Sequence, residues 1–178
     1  MTALAQMTPD IAADRVARYG WPELARELDG FGCAVLPGLL SADECTGIAA
    51  LYDDEARFRS HMHMARQGFG CGEYKYFRYP LPDRLAALRT ALYPPLAEIA
   101  NRGNARLAVD VVYSCRRADF LAQCHAAGQA RPTSLLLRYR PGDDNCLHQD
   151  LYGELAFPLQ VAVLLSQPGA DFSGGEFV

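Results

Sequence analysis

His148 and Asp150 stand two residues apart at the end of the run Arg138-Tyr139-Arg140-Pro141-Gly142-Asp143-Asp144-Asn145-Cys146-Leu147-His148-Gln149-Asp150. On extended backbone, residues i and i+2 leave the same face, so an imidazole and a carboxylate at this spacing can grip one ion. Together they supply two thirds of the 2-His-1-carboxylate set that holds non-haem Fe(II) while leaving coordination positions open. The Pro141-Gly142 turn separates the pair from strand-like Ser134 to Tyr139, and the apolar run Leu159 to Leu165 after it reads as a buried strand.

Other candidates carry less. His61-x-His63 has the same spacing, but it lies in the alternating stretch Arg57 to Met64, beside Arg57 and Arg59, and reads as a solvated stripe of a half-buried strand. Gly68-Phe69-Gly70-Cys71-Gly72 is rich enough in glycine for a phosphate loop, yet strand-like Glu73 to Tyr79 follows where a helix is required, so it reads as a flexible loop and candidate lid. Arg131, Arg138 and Arg140 cluster in sequence near His148 and could attract an anion, with a solvated strand face as the plainer reading. Hydrolase and NTPase chemistry find no support, because G-x-S-x-G, H-E-x-x-H and Walker sequences are missing.

The elements that must position these residues change character along the chain. Apolar residues at helical spacing run from Ile11 to Leu28, divided at Pro22 and ended by Gly30 and Gly32. Cys33 to Leu36 reads as a short buried strand, and Ser41-Ala42-Asp43-Glu44 as a capping box opening a helix to about Asp53. Leu81 to Asn101 is helical with a break at Pro94-Pro95, and Arg116 to Ala127 is a shorter helix. Strand patterns dominate afterwards, at Ser134 to Tyr139, Leu159 to Leu165 and Glu176 to Val178. The class is therefore α+β in a single domain over 1–178, with a helical part over about 1–130 and a β-core over about 131–178.

Composition bounds the function. Half of the 178 residues are hydrophobic and 21% are charged, enough for a packed core and too apolar for a disordered chain. The formal net charge is −4. All 17 Lys and Arg lie at or before Arg140, and six acids follow, so Pro141 to Val178 carries −6 with no cation. A basic nucleic-acid face is excluded by that balance, making nucleic acid an unlikely partner. Six cysteines without a C-x-x-C read as unpaired thiols, and no signal or membrane-spanning segment is present, which points to the cytoplasm.

Tyr139, nine residues before His148, with the Y-x-P-G and H-Q-D of Tyr139 to Asp150, resembles the Fe(II)/2-oxoglutarate-dependent dioxygenase superfamily. Arg138 to Asp150 is similar to the corresponding stretch of the alkylated-nucleic-acid demethylase branch. The wider chain is more similar to the bacterial prolyl-hydroxylase-like branch, through Leu36-Pro37-Gly38-Leu39-Leu40-Ser41 to Cys45 and Ser173-Gly174-Gly175-Glu176. The resemblance implies N-terminal helices packed on a partial double-stranded β-helix, a jelly-roll or cupin-like core. It also implies His148 and Asp150 as Fe(II) ligands, Tyr139 as a contact of the co-substrate 2-oxoglutarate, and ascorbate as a candidate reductant. Gln160 is a weaker co-substrate contact. The substrate expected is a small molecule or a protein side chain.

The resemblance also implies a second His after the H-x-D and then an Arg or Lys for the far carboxylate of 2-oxoglutarate. No His follows His148 and no Arg or Lys follows Arg140. The expectation is a C-terminally truncated member, with weak iron binding, poor turnover and exposed strand edges that offer a route to oligomers. Two other readings compete: a catalytically dead β-rich binding module, and a cupin-like metal enzyme that needs no 2-oxoglutarate.

Overall fold

A computed structural model describes residues 7–66, 68, 70–149 and 153–175. In chain order its helices are α1 (Pro9–Ala17), α2 (Trp21–Phe31), α3 (Ala42–Ala49), α4 (Asp83–Arg106) and α5 (Arg117–Ala126), and its strands are β1 (Phe58–His63), β2 (Gly70–Cys71), β3 (Glu73–Phe77), β4 (Leu135–Arg138) and β5 (Asp144–Asn145). The α+β class expected from the sequence holds. Two compact units divide the chain, and each draws on separated segments.

The first unit contains α1, α2, α4 and α5. Thr8 caps α1 by accepting from the Ile11 N–H, and Pro9 occupies the first turn, where its missing N–H costs nothing. Pro22 likewise sits in the first turn of α2, so it separates the two helices as the sequence indicates. Pro94 and Pro95 behave differently from expectation: α4 runs through them without interruption. Its buried residues Leu88, Leu92, Tyr93, Ala97 and Ala100 fall on one face at helical spacing, and their burial offsets the two backbone bonds the prolines forgo. Tyr93, Tyr113, Phe120 and Phe157 form an aromatic cluster with ring centroids 5.0–6.0 Å apart. The Tyr113 hydroxyl donates to the Ala156 carbonyl at 2.7 Å, which ties the 153–161 segment into this unit.

The second unit carries the strands. β3 lies at the centre of an antiparallel sheet of order β1-β3-β4, and β2 pairs with β5. Ser41 and Glu44 satisfy each other's backbone donors at the start of α3, the capping box read from the sequence. The face of β3 bearing Glu73, Lys75 and Phe77 is buried. A register shift between Phe58 and Ser60 turns Phe58 onto that same face, where its ring stacks on fully buried Phe77 with centroids 4.8 Å apart.

Three strand expectations fail or fall outside view. Cys33 to Leu36 is not a strand, and Val35 is 73% exposed. Leu159 to Leu165 forms no ladder among the described residues, and Val161, Val163 and Leu164 are exposed. An apolar run becomes a strand only where a neighbouring strand supplies a backbone ladder, and neither segment is in such a ladder among the described residues. Glu176 to Val178 lies outside the described residues. The glycine-rich segment is also corrected: Gly70 and Cys71 are ladder residues opposite Asn145 and Asp144, not a free loop. None of the described helices is long and apolar enough to cross a membrane, and no disulfide joins any of the six cysteines.

Candidate functional site

Two sets of chemistry-bearing residues lie in the second unit. The first is the segment singled out from the sequence. His148 is exposed, and its Nδ1 lies 2.7 Å from the Cys146 carbonyl oxygen. A carbonyl can only accept, so Nδ1 carries the proton and the ring lone pair sits on Nε2, the arrangement that prepares an imidazole to ligate a metal. Asp150 lies outside the described residues. Tyr139 is 45% exposed and rests its ring on Gly72. Partial burial raises its hydroxyl pKa, the Asn145 side chain works in the opposite direction, and Asp143 and Asp144 push it up again, so the phenol is a protonated donor at neutral pH.

Gly72 makes the Tyr139 position available. Its φ is +138°, and a Cβ there would come within 2.9 Å of two Tyr139 ring carbons and 3.3 Å of Met64 Sδ. The Met64 N–H also donates to the Gly72 carbonyl at 3.0 Å, which fixes the backbone in place. Gly72→Ala is therefore expected to cost about 1–3 kcal/mol through strain and displacement of Tyr139. Denaturant unfolding of the two proteins checks this, and a midpoint change below about 0.5 kcal/mol would contradict it.

The second set was not assembled from the sequence. His61 and His63 share one face of β1, and the register puts His63 directly opposite Glu73 and His61 opposite Lys75. Glu73 Oε2 is 2.6 Å from His61 Nε2 and 3.9 Å from His63 Nδ1. Its other oxygen, Oε1, accepts from Arg138 Nε and Nη2 at 2.9 and 2.7 Å, with Arg140 Nη2 at 3.7 Å. Burial alone would raise the Glu73 pKa, but the Arg138 hydrogen bonds and then the His61 bond outweigh it and hold the carboxyl at about 2. Around this core, the Arg138 guanidinium lies 4.1 Å and the Lys75 ammonium 4.3 Å from the centre of the Tyr52 ring. Burial, then the Glu73 charge, pushes the Tyr52 hydroxyl up to about 12.

The stripe of His61 and His63 keeps the partial exposure its alternation indicates, but it also meets the buried Glu73 carboxylate. The β1–β3 register places the imidazoles on the side of the sheet that carries buried Glu73 and Lys75, and the bulge after Phe58 brings Phe58 to that side as well. Glu73 and Tyr52 drew no functional reading from the sequence. The available signal was in β3 itself, whose alternation puts Glu73, Lys75 and Phe77 on one face and Tyr74 and Tyr76 on the other. Arg138 is held in an ion pair while its side chain stays partly exposed, whereas Gln160 is exposed and belongs to the other unit.

Residues 72–178, more than half of the chain, match the Oxygenase-NA family, described as an oxygenase catalysing oxidative methylation of damaged DNA. The chain belongs to this oxygenase family. Both β3, with Glu73, and the Tyr139 to Asp150 segment fall inside the matched region of Oxygenase-NA, while His61 and His63 precede it. Two Mycobacterium tuberculosis proteins, the uncharacterized protein MT2286 of strain CDC 1551 and the uncharacterized protein Rv2227 of strain H37Rv, are each 50% identical over 102 residues. That stretch is 57% of this chain and 44% of either relative, so the chain spans less than half the length of the curated relatives it matches. No solved structure matches it.

Proposed function

We propose that the chain carries the iron-binding region of an Fe(II)- and 2-oxoglutarate-dependent oxygenase of hydroxylase or demethylase type, built on a partial double-stranded β-helix. The observation that carries this reading is the H-x-D of His148 and Asp150 lying within a region that belongs to an oxygenase family. His148, with its tautomer set by the Cys146 carbonyl, and Asp150 would hold the ion; bound there, Fe(II) would couple oxidative decarboxylation of 2-oxoglutarate to hydroxylation of a substrate C–H bond. Tyr139, protonated and seated on Gly72, would donate a hydrogen bond to the co-substrate. Ascorbate would serve as reductant.

The substrate we infer from the family's description is a damaged base in DNA, against the composition-based expectation of a small molecule or protein side chain. Hydroxylation of an N-methyl group leaves a hydroxymethyl that collapses to formaldehyde and the free base, so the reaction has a distinct product. Pro141 to Val178 offers no cation, so phosphate contacts would rest on upstream arginines such as Arg140, 72% exposed at its side chain.

The test is succinate and formaldehyde release by the purified chain with Fe(II), ascorbate, 2-oxoglutarate and a methylated single-stranded oligonucleotide. Slow succinate release, requiring both Fe(II) and 2-oxoglutarate and at least fivefold above His148→Ala and Asp150→Ala, is expected. Formaldehyde in the oligonucleotide arm supports the DNA substrate. Iron dependence without 2-oxoglutarate dependence would favour the cupin-like reading, and no release from the wild type or either variant would favour a binding module.

A further inference from the structure

We propose that His61, His63 and Glu73 form a second metal site, separate from the His148–Asp150 pair, for a divalent transition metal of the zinc type. The ligand atoms of the three residues lie within 4.8 Å of one another. Strand geometry produces this arrangement: alternation puts both imidazoles on one face of β1, and the antiparallel register sets the carboxylate beside them from β3. The site therefore joins two neighbouring strands instead of relying on one flexible loop.

The carboxylate is prepared for the role. Oε1 is held by Arg138, so the group presents Oε2 to both rings, and an outer partner that fixes a ligating carboxylate in this way is a recurrent feature of protein metal centres. Metal–ligand bonds of about 2.0–2.2 Å set neighbouring donors roughly 3–3.5 Å apart. The 2.6 Å His61–Glu73 contact must open a little and the 3.9 Å His63–Glu73 contact must close a little. The imidazole side chains are 32% and 44% exposed, which leaves room for those rotations and for the ion to enter.

Local charge does not oppose the ion. Arg138, Arg140 and Lys75 are balanced by Glu73, Asp53 and Glu55, with Lys75 Nζ 2.6 Å from Glu55 and Arg138 Nη1 3.5 Å from Asp53. Two imidazoles and one carboxylate select borderline ions such as Zn(II), Co(II), Ni(II) or Fe(II) over Mg(II) and Ca(II), which favour all-oxygen shells. Three protein donors leave a coordination position for water.

The experiment is a Zn(II) titration of the full 178-residue chain, followed by the imidazole NMR signals of its four histidines and by calorimetry. In the wild type the His61 and His63 signals should shift together with Zn(II) while His125 stays in place. His63→Ala and Glu73→Gln should each weaken this binding at least tenfold, and His148→Ala should change it less than twofold. The wild-type titration needs no variant to fold, so it stands even if Glu73→Gln is unstable. Unmoved His61 and His63 signals at saturating Zn(II), or loss of their response in His148→Ala, would overturn the proposal. The His148 comparison also keeps this result distinct from the oxygenase reading, which fails or survives on His148 and Asp150.

Discussion

Glu73→Gln is expected to lower the unfolding free energy of the chain by about 2–3 kcal/mol at pH 7. The Glu73 side chain is 12% exposed, and its charge is matched by two Arg138 hydrogen bonds and one from His61. Breaking a fully buried pair costs about 3–5 kcal/mol. Arg138 is 41% exposed and recovers some hydration, which brings the figure down. The same group sets an acid dependence. Its pKa in the folded chain, about 2, lies below the ordinary 4.5, so the folded state favours the ionised form. The stabilisation is complete above about pH 4.5 and is lost as the pH falls from there toward 2, an effect on the order of 3 kcal/mol. Denaturant unfolding at pH 7, 4 and 3 should show wild type and Glu73→Gln converging as the pH drops. A constant difference across that range, or none at pH 7, would contradict this role for Glu73.

What could be read in advance follows from how local each determinant is. The Ser41–Glu44 capping box and the first-turn prolines Pro9 and Pro22 are set by residues within one helical turn, and they appear where the sequence puts them. The strand cores at Phe58–His63, Glu73–Phe77 and Leu135–Arg138 were also legible, because each joins β-branched, aromatic or alternating residues to a sheet that exists to receive it. Cys33 to Leu36 and Leu159 to Leu165 show the limit: similar apolar content, but no strand beside them among the described residues. Pairing is decided by distant chain, which a window of a few residues does not contain.

The site divides in the same way. His148 and Tyr139 could be named because H-x-D and its upstream Tyr are contiguous patterns. The His61, His63, Glu73 and Arg138 cluster could not, because it depends on the pairing of three strands far apart in the chain. Strict alternation puts Phe58 and the imidazoles on opposite faces; the bulge brings them to the same one. Arg138 shows how much this matters, since the sequence gives it a solvated face and the sheet gives it Glu73.

Whether His148 and Asp150 hold iron is tested most directly by the coupling between Fe(II) and 2-oxoglutarate binding. If both ligands meet at one centre, each must tighten the other by the same factor. Anaerobic Fe(II) affinity, measured with and without 2-oxoglutarate in a His61→Ala/His63→Ala background, removes any contribution from the strand cluster. At least a tenfold tightening by 2-oxoglutarate is expected, because a chelating co-substrate would add donors to an ion that His148 and Asp150 alone would hold weakly. His148→Ala and Asp150→Ala should each weaken Fe(II) binding by about 100-fold or more and abolish the coupling, since losing a ligand exceeds the 10- to 100-fold cost of losing an outer partner. Coupling that persists in both variants, or Fe(II) affinity indifferent to 2-oxoglutarate in the parent, would contradict the assignment of His148 and Asp150 as the iron ligands.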